Sequence, residues 1–318
     1  MQSPQNTITI HPPQGITPGS LMRKATLLLS LVTAAFAGPA AAVDKVTVQL
    51  KWLPQAQFAG YYVAQAKGFY KEVDLDVTIK PGGPGIAPAQ VLAAKGADLV
   101  VDWMPSALAA REAGVPLVNV AQIFNGSGMM LTCKKSKGIS TAKDFKGKTL
   151  GVWFGGNEYP FLSWMGLLGI KTSGANPDVK VLRQGFNVDL LLKNQAACIS
   201  TMSYNEYWQV IDAGVKATDL VTFAYEEQGV ATLEDGLYAR EPDLRDPAYV
   251  AKFVRFVKAS IRGWEYALKN QDEAVDIVLA ADTLGDSTAA VQKRQLENVA
   301  KLITNGGNPS MGKLDPVA

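Results

Sequence analysis

The sequence has few of the residues from which metal centres and many hydrolytic sites are built. Its 318 residues include one histidine, His11, and two cysteines, Cys133 and Cys198. Zinc, haem and iron–sulfur centres need several such ligands, so we expect neither a metal site nor a cofactor of these kinds. We also expect His11 to be removed with an N-terminal segment, and a chain without histidine can form neither a Ser-His-Asp triad nor a Cys-His pair. These absences argue against a hydrolase.

An excess of charge of either sign is also missing. Thirty-one Lys and Arg residues against 29 Asp and Glu residues give a formal net charge of +2. Such a chain has no surplus of cations to neutralise phosphates, so we expect no nucleic-acid partner. With 47% hydrophobic residues, it is long enough for one large domain or for two lobes that each bury a core.

Long apolar runs are limited to one stretch, Ala25–Phe36, which is too short to span a bilayer comfortably. Two basic residues precede it and three alanines, residues 40–42, follow. This order is typical of a secretory signal peptide over residues 22–42, with residues 1–21 as an extension before it. The alternative is a buried N-terminal helix. We expect export to the periplasm, and no lipid anchor, since no cysteine follows the run.

The two cysteines permit a disulfide in an oxidising compartment. Both lie in strand-like runs, where a small buried thiol is equally natural. The sequence leaves both possibilities open.

The remaining chain alternates strands and helices in two series. Strands are predicted over Val46–Leu50, Leu75–Lys80, Ala97–Trp103 and Leu117–Phe124, and again over Thr149–Trp153, Val179–Arg183 and Cys198–Met202. Their nearly continuous apolar runs are typical of parallel sheets covered by helices on both faces. We therefore predict two α/β lobes. The first comprises residues 43–126 and 227–318, the second residues 127–226, and residues 1–42 precede both.

Rings, amides and carboxylates recur in the segments that follow the predicted strands, where ligands bind in such sheets. The candidate binding residues are Trp52, Gln57, Tyr61, Asp102, Trp103, Ser106, Asn157, Glu158, Tyr159, Asn205, Glu206 and Tyr207. Rings offer flat apolar faces to a planar ligand, and the polar groups can fix its edge. The alternative is that the tryptophans close the core and that Glu206 and Tyr207 lie on a helix surface.

Three stretches, residues 51–70, 96–122 and 145–153, resemble periplasmic substrate-binding proteins of ABC importers. The branch is the thiamine-pyrimidine-synthase-like one, which includes formylaminopyrimidine-binding proteins, and the resemblance covers about residues 44–315. It implies two lobes joined by two crossover strands, each with a mostly parallel sheet, which close on a small ligand. It also implies a monomer whose partners are a permease and an ATPase at the inner membrane.

The resemblance ranks a thiamine pyrimidine precursor first among the ligands. Riboflavin, another heteroaromatic or a sulfonate such as taurine are alternatives. A sulfonate ranks lower because the candidate segments contain carboxylates and no arginine. A sensor that binds ligand without transport is a further alternative.

The same family contains a synthase that makes the thiamine pyrimidine from pyridoxal phosphate. The resemblance places Asp102 where that enzyme has its lysine and Ser106 where it has its histidine. Residues 232–236 stand where it has a cysteine motif. A carboxylate cannot form a Schiff base, so we expect no enzyme activity and no pyridoxal phosphate. Similar chains usually continue with another helix, so we expect either a truncated sequence or a lost helix at the C-terminus.

Overall fold

The computed structural model describes residues 43–285, 287–304 and 311–314. The predicted extension and signal peptide, residues 1–42, and the C-terminal residues 315–318 lie outside these ranges, so both expectations about the chain ends stay predictions. In the described ranges, no helix combines the length and the apolar character needed to cross a bilayer.

Ten strands of the described residues form two five-stranded sheets. Sheet A consists of β1 (Asp44–Gln49), β2 (Leu75–Lys80), β3 (Leu99–Asp102), β4 (Leu117–Gln122) and β10 (Gly236–Arg240). Sheet B consists of β5 (Met129–Lys134), β6 (Thr149–Val152), β7 (Lys180–Arg183), β8 (Cys198–Met202) and β9 (Leu220–Ala224). The strand order is β2-β1-β3-β10-β4 in sheet A and β7-β6-β8-β5-β9 in sheet B.

Each sheet contains one strand that runs against the others. In sheet A, β1 pairs in parallel with β2 and β3, whereas β10 is antiparallel to β3 and β4. In sheet B, β6 pairs in parallel with β7 and β8, whereas β5 is antiparallel to β8 and β9. The chain enters sheet B through β5 and returns to sheet A through β10. The predicted α/β class, with mostly parallel sheets and two crossover strands, is therefore confirmed.

The helices that accompany the sheets are α1 (Ala59–Ala66), α2 (Pro88–Ala93), α3 (Met104–Glu112), α4 (Tyr159–Leu167), α5 (Asp189–Leu192), α6 (Glu206–Asp212), α7 (Pro247–Lys269), α8 (Gln271–Ala281) and α9 (Ala289–Thr304). We call sheet A with α1–α3 and α7–α9 the first lobe, and sheet B with α4–α6 the second lobe. The exact lobe boundaries, at residues 126/127 and 226/227, remain our proposal.

Local sequence explains where the longest helix begins. The side chain of Asp246 accepts a hydrogen bond from the N–H of Ala248 at 2.8 Å, and Pro247 occupies the first helical position of α7. A capping carboxylate followed by proline is a strong helix start, since proline lacks the N–H that the first turn cannot pair.

Helices α1 and α7 form the centre of the first lobe's core. They cross at Gly60 and Gly263, so closely that a Cβ on Gly263 would lie 2.1 Å from the carbonyl oxygen of Gly60. Rings of Tyr61, Phe256 and Trp264 surround the crossing. This packing fixes the segment between β1 and α1, which carries much of the candidate site.

In sheet B, Cys133 of β5 and Cys198 of β8 face each other and form a disulfide. Of the two possibilities that the sequence left open, the structure contains the bridge. It joins two neighbouring strands in the interior of the sheet.

Candidate ligand-binding site

The carboxyl ends of strands from both sheets meet around one narrow cavity, the inner cavity, which measures about 270 Å³, including the part that is open to solvent. Its lining consists of Lys51, Trp52, Gln55, Gln57, Trp103, Trp153, Asn157, Met202, Tyr204 and Glu206. Residues 51–57 follow β1, Trp103 follows β3, and the others follow or end β6 and β8. The cavity is thus walled by both lobes, at the position where open α/β sheets bind ligands.

Aromatic rings from both lobes line the inner cavity. Trp52 of the first lobe meets Trp153 of the second lobe edge to face, with 5.7 Å between ring centroids. The indole N–H of Trp153 donates to the carbonyl oxygen of Gly185 at 2.8 Å, and that of Trp103 donates to Asp235 Oδ1 at 3.1 Å. These hydrogen bonds fix the rings, so the cavity presents preformed apolar faces.

One acceptor in the inner cavity has no protein partner. Asn157 is only 3% exposed, and its Oδ1 atom makes no hydrogen bond with any described residue. A buried acceptor left unpaired costs about 1–3 kcal/mol, so such groups usually mark a place where a ligand or water binds.

A chain of amide hydrogen bonds crosses from one lobe to the other. Asn205 Nδ2 donates to Gln55 Oε1 at 3.1 Å, and Gln55 Nε2 donates to Gln57 Oε1 at 2.6 Å. Gln57 Nε2 in turn donates to both carboxyl oxygens of Asp235, at 3.1 and 2.9 Å. The lobes are therefore in direct contact at the cavity.

Lys51 contributes a buried cation to the inner cavity. Its Nζ lies 2.6 Å from Asp102 Oδ1, and both side chains are 1% exposed. Ser106 Oγ donates to the second oxygen of Asp102 at 3.1 Å. Asp102 and Ser106 thus lie behind Lys51 and do not line the cavity, although the sequence analysis named both as binding residues.

Glu206 places a carboxyl group on the second lobe's side of the inner cavity. It accepts hydrogen bonds from Asn205 Nδ2 at 2.8 Å and from the N–H of Met202 at 3.0 Å. Burial disfavours the charged form more than these bonds favour it, and the pKa of Glu206 rises to about 7. Near neutral pH this group can either donate or accept a hydrogen bond.

Two further buried carboxyls precede β10. Burial raises the pKa of Asp235 to about 7, and burial together with the charge of Asp235 raises that of Glu234 to about 8. Glu234 accepts from Ser127 Oγ at 2.5 Å and from the hydroxyl of Tyr204 at 3.2 Å. Glu234 precedes β10 and Ser127 precedes β5, so both segments that connect the two sheets are bonded here. Through Tyr204 they are linked to the lining of the inner cavity.

The structure brings together five of the twelve predicted residues. The five that line the inner cavity are Trp52, Gln57, Trp103, Asn157 and Glu206. Asn205 lines a neighbouring cavity, Glu158 accepts from the N–H of Gly156 at 2.8 Å, Tyr159 begins α4, and Tyr207 packs against Trp208. Tyr61 belongs to the core beside Phe256 and Trp264. Ligand contact by any of the twelve stays a prediction.

Sequence reasoning missed several lining residues. These are Lys51, Gln55, Trp153, Met202 and Tyr204, together with Asp235 behind them. Most lie in segments that the sequence analysis had singled out, and their position directly after a strand was the available signal. Nothing in the sequence showed that Asp235 would reach Gln57 and Trp103.

An outer cavity adjoins the inner one and measures about 1080 Å³, including the part that is open to solvent. Its lining comprises Trp52, Leu53, Pro54, Gln55, Phe186, Asn187, Asn205, Gln209, Asp282, Leu284, Ser287, Val291 and Gln292. Trp52 and Gln55 line both cavities, so they form the boundary between them.

Proteins with similar sequences include two small-molecule binding proteins. Residues 55–274 match the family described as NMT1/THI5 like. The chain is 28% identical to the riboflavin-binding protein RibY of Chloroflexus aurantiacus, over 74% of this chain and 66% of that protein. It is 24% identical to the formylaminopyrimidine-binding protein of Halalkalibacterium halodurans, over 85% of this chain and 80% of that protein. The chain thus spans just under two thirds of the first of these relatives.

A shorter match of 112 residues, 34% of this chain, is 32% identical to the 4-amino-5-hydroxymethyl-2-methylpyrimidine phosphate synthase THI5 of Saccharomyces cerevisiae and covers 32% of it. Among solved structures, the alkanesulfonate-binding protein SsuA of Xanthomonas axonopodis pv. citri, bound to MOPS, has a TM-score of 0.61 at 13% identity. That match covers 81% of this chain and 85% of SsuA. At that identity the likeness shows the fold, which is that of periplasmic binding proteins.

Proposed function

Since this chain belongs to the NMT1/THI5 like family, we propose that it is the periplasmic substrate-binding component of an ABC importer. It captures a small heteroaromatic between its two lobes, and we rank a thiamine pyrimidine precursor first. It acts as a monomer that delivers the ligand to a permease and its ATPase. The disulfide supports an exported protein, because such bonds persist in oxidising compartments.

The observation that carries this proposal is the unpaired Oδ1 of Asn157 in a cavity walled by rings of both lobes. A flat ligand stacks on Trp52 or Trp103, and each stack is worth on the order of 1 kcal/mol beyond burial. An exocyclic amino group of the ligand donates to Asn157. Glu206 pairs with the neighbouring ring nitrogen, as donor or as acceptor. An aminopyrimidine offers this combination of donor and acceptor on one edge.

The alternative ligands need different chemical groups in the lining of the cavity. A sulfonate needs cationic partners, whereas no arginine lines the inner cavity among the described residues and Lys51 is paired with Asp102. Riboflavin suits the aromatic walls and is the ligand of one relative. Purified protein that is yellow would favour riboflavin directly.

Synthase activity is the competing function, and the side chains at the site oppose it. Asp102 and Ser106 supply neither a Schiff-base amine nor an imidazole. Lys51 does reach the cavity, but its amine is held in an ion pair with Asp102. An amine in an ion pair has no free electron pair with which to attack an aldehyde. Product formation from pyridoxal phosphate with iron supplied would contradict this proposal.

The first test is a thermal-shift panel of aminopyrimidines, thiamine, riboflavin and sulfonates, followed by calorimetric titration of any ligand that raises the melting temperature. A ligand that binds only the folded state raises it in proportion to ln(1 + [L]/Kd). We expect an aminopyrimidine to give the largest shift. If no heteroaromatic binds below about millimolar while a sulfonate does, the proposed ligand class is wrong.

The second test truncates two side chains that line the inner cavity. We expect Trp52→Ala and Glu206→Ala to weaken ligand binding by about 10-fold or more, because each deletes a contact worth about 1–3 kcal/mol, while circular dichroism shows a folded protein. Matched controls are Tyr249→Ala and Glu265→Ala on α7, outside both cavities. Full affinity in both cavity variants would show that the ligand binds elsewhere.

A further inference from the structure

We propose that the outer cavity is a second subsite, which binds an uncharged, hydrogen-bonding tail of a ligand whose ring occupies the inner cavity. The inference rests on the proposed function and specifies the ligand further. It adds a requirement for hydroxyl or amide groups attached to the ring, and it predicts that a phosphate or sulfonate on the same tail is rejected.

Size and continuity point to the outer cavity as the space for a tail. With their open parts included in the same way, the inner cavity has about 270 Å³ of space and the outer cavity about 1080 Å³. A ligand larger than a small ring system must therefore extend beyond it. The outer cavity is the adjoining space, since Trp52 and Gln55 belong to the lining of both.

Both lobes contribute side chains to the outer cavity. Asn187 and Gln209 come from the second lobe, and Asp282 and Gln292 from the first. A tail bound there touches both lobes only when they are closed. Binding of the tail therefore stabilises the closed state, as binding of the ring does.

The polar side chains of the outer cavity offer both donors and acceptors to a ligand. Asn187 Oδ1 accepts from the N–H of Asp189 at 3.2 Å, which leaves its NH₂ group as a donor. Gln209 Nε2 donates to Asn205 Oδ1 at 3.3 Å, which leaves Gln209 Oε1 as an acceptor. Asp282 Oδ1 accepts from the N–H groups of Leu284 and Gly285, and its second oxygen makes no hydrogen bond with any other described residue, so it can act as an acceptor.

Together these groups provide one donor and two acceptors. This is the pattern that hydroxyls and amides satisfy, since each can donate and accept. No lysine or arginine is among the described residues that line the outer cavity, and Asp282 would repel an anion. The geometry therefore selects against a charged phosphate or sulfonate tail.

The experiment measures by calorimetry how much each tail adds to the affinity of its ring. The probes are two rings without a polar tail, 4-amino-2,5-dimethylpyrimidine and lumichrome. They are compared with the same rings carrying a formylaminomethyl group and a ribityl chain, respectively. The phosphate ester of 4-amino-5-hydroxymethyl-2-methylpyrimidine and flavin mononucleotide test the anionic tail.

For the ring that binds, we expect the uncharged tail to improve the affinity by about 10-fold and the phosphate to cancel that gain. Asn187→Ala should remove about 2- to 10-fold of the gain and leave the affinity of the bare ring unchanged, because Asn187 lines only the outer cavity. Asp282→Lys should reverse the preference in favour of the phosphate tail. Gln271→Ala, an amide that lines neither cavity, serves as the control.

Two failures are distinguishable. If a bare ring binds but its tail adds nothing, or if the variants weaken the bare and tailed ligands equally, the subsite is refuted and the proposed function stands. If neither ring binds with or without its tail, the proposed function fails and the second subsite fails with it.

Discussion

Three carboxyl groups next to the candidate site are buried without a cation of their own. Burial is the largest cause of the raised pKa of Glu206 and Asp235, to about 7, and of Glu234, to about 8. Each group binds its proton more tightly in the folded protein than in the unfolded chain, where the pKa is about 4. Their protonation therefore couples the stability of the fold to pH.

We predict that the ligand-free protein loses stability between pH 5 and pH 8. Below the pKa that these carboxyls have in the unfolded chain, the stabilisation of the fold by their protons is fully present. It disappears as the pH rises through the raised pKa values of the folded protein. For Glu206 alone, a shift from 4.5 to about 7 corresponds to about 3 kcal/mol. Urea denaturation at several pH values should show a lower midpoint at pH 8 than at pH 5.

Glu206→Gln should flatten that pH dependence, because the amide does not titrate. Glu265→Gln, at an exposed position of α7, is the control. Asp144, Asp178 and Glu273 have lowered pKa values, so they titrate below this window. A free energy of unfolding that rises from pH 5 to pH 8 would show that the three carboxyls are solvated.

Single residues also show how far a site can be predicted from sequence. Trp52, Trp103 and Glu206 were predicted from their positions after strands, and all three line the inner cavity. Tyr61 has the same kind of sequence position, yet it belongs to the core, because α1 packs this side chain against Phe256 and Trp264 of α7. Asp235 reaches the site through a long-range contact with Gln57, which no local pattern encodes.

At the scale of elements, the close crossing of α1 and α7 depends on two glycines. We predict that Gly263→Ala lowers the free energy of unfolding by about 1–3 kcal/mol, since the new Cβ would lie 2.1 Å from the carbonyl oxygen of Gly60 and backbone must move. Gly166→Ala in α4 is the matched control, because no atom lies within 4 Å of its new Cβ.

The free energy of unfolding of the control variant Gly166→Ala should rise by about 0.5–1 kcal/mol, since alanine favours a helix more than glycine does. Urea denaturation of both variants measures the difference. Equal stability of the two variants would mean that the helices cross at a larger distance than the structure shows.

A second prediction at this scale concerns the bridge between β5 and β8. Cys133 and Cys198 are 65 residues apart, and closing a loop of that length stabilises a fold by about 4 kcal/mol in the chain-entropy model. The double variant Cys133→Ala with Cys198→Ala should lose about 2–4 kcal/mol in urea denaturation. Reduction with dithiothreitol should lower the free energy of unfolding of the wild-type protein to a similar level and leave that of the variant unchanged. A variant as stable as the oxidised protein would contradict this.

Elements with strong apolar runs were predicted to within a few residues, whereas several others were given no bounds. β2 and β8 have the predicted bounds, and β1, β3 and β6 differ only at their ends. The elements without predicted bounds include β9, β10 and α8. β10 begins at a glycine and has five residues, so its strand conformation depends on pairing with β3 and β4 rather than on its own pattern.

At the scale of the whole molecule, the proposed function depends on closure of the lobes, and three polar contacts are among those that join them. Asn205 bonds with Gln55 at the cavity, and Tyr204 bonds with Glu234 at the crossover. The third lies farther out, where Arg294 of α9 pairs with Asp212 of α6. Opening the lobes would separate these partners, so each contact favours the closed state.

The ion pair between Arg294 and Asp212 offers the clearest test, because it lines neither cavity. The guanidinium donates to both carboxyl oxygens and lies 4.9 Å from the centroid of the Trp208 ring. Both side chains are partly exposed, so the pair is worth about 0.5–1 kcal/mol. We therefore predict that Arg294→Asp weakens ligand binding by about 2- to 5-fold, with a smaller loss at high salt.

The charge-swapped variant Arg294→Asp with Asp212→Arg should recover most of that affinity, since it restores attraction between the lobes without any contact to the ligand. The control is the pair Arg262 and Glu72, which is more exposed, also has its guanidinium against an aromatic ring, and lies entirely in the first lobe. Swapping those charges should leave affinity unchanged, because the pair is the same in the open and closed states. If the swap across the lobes recovers nothing, or if the control swap weakens binding equally, then the contact between α6 and α9 plays no part in closure.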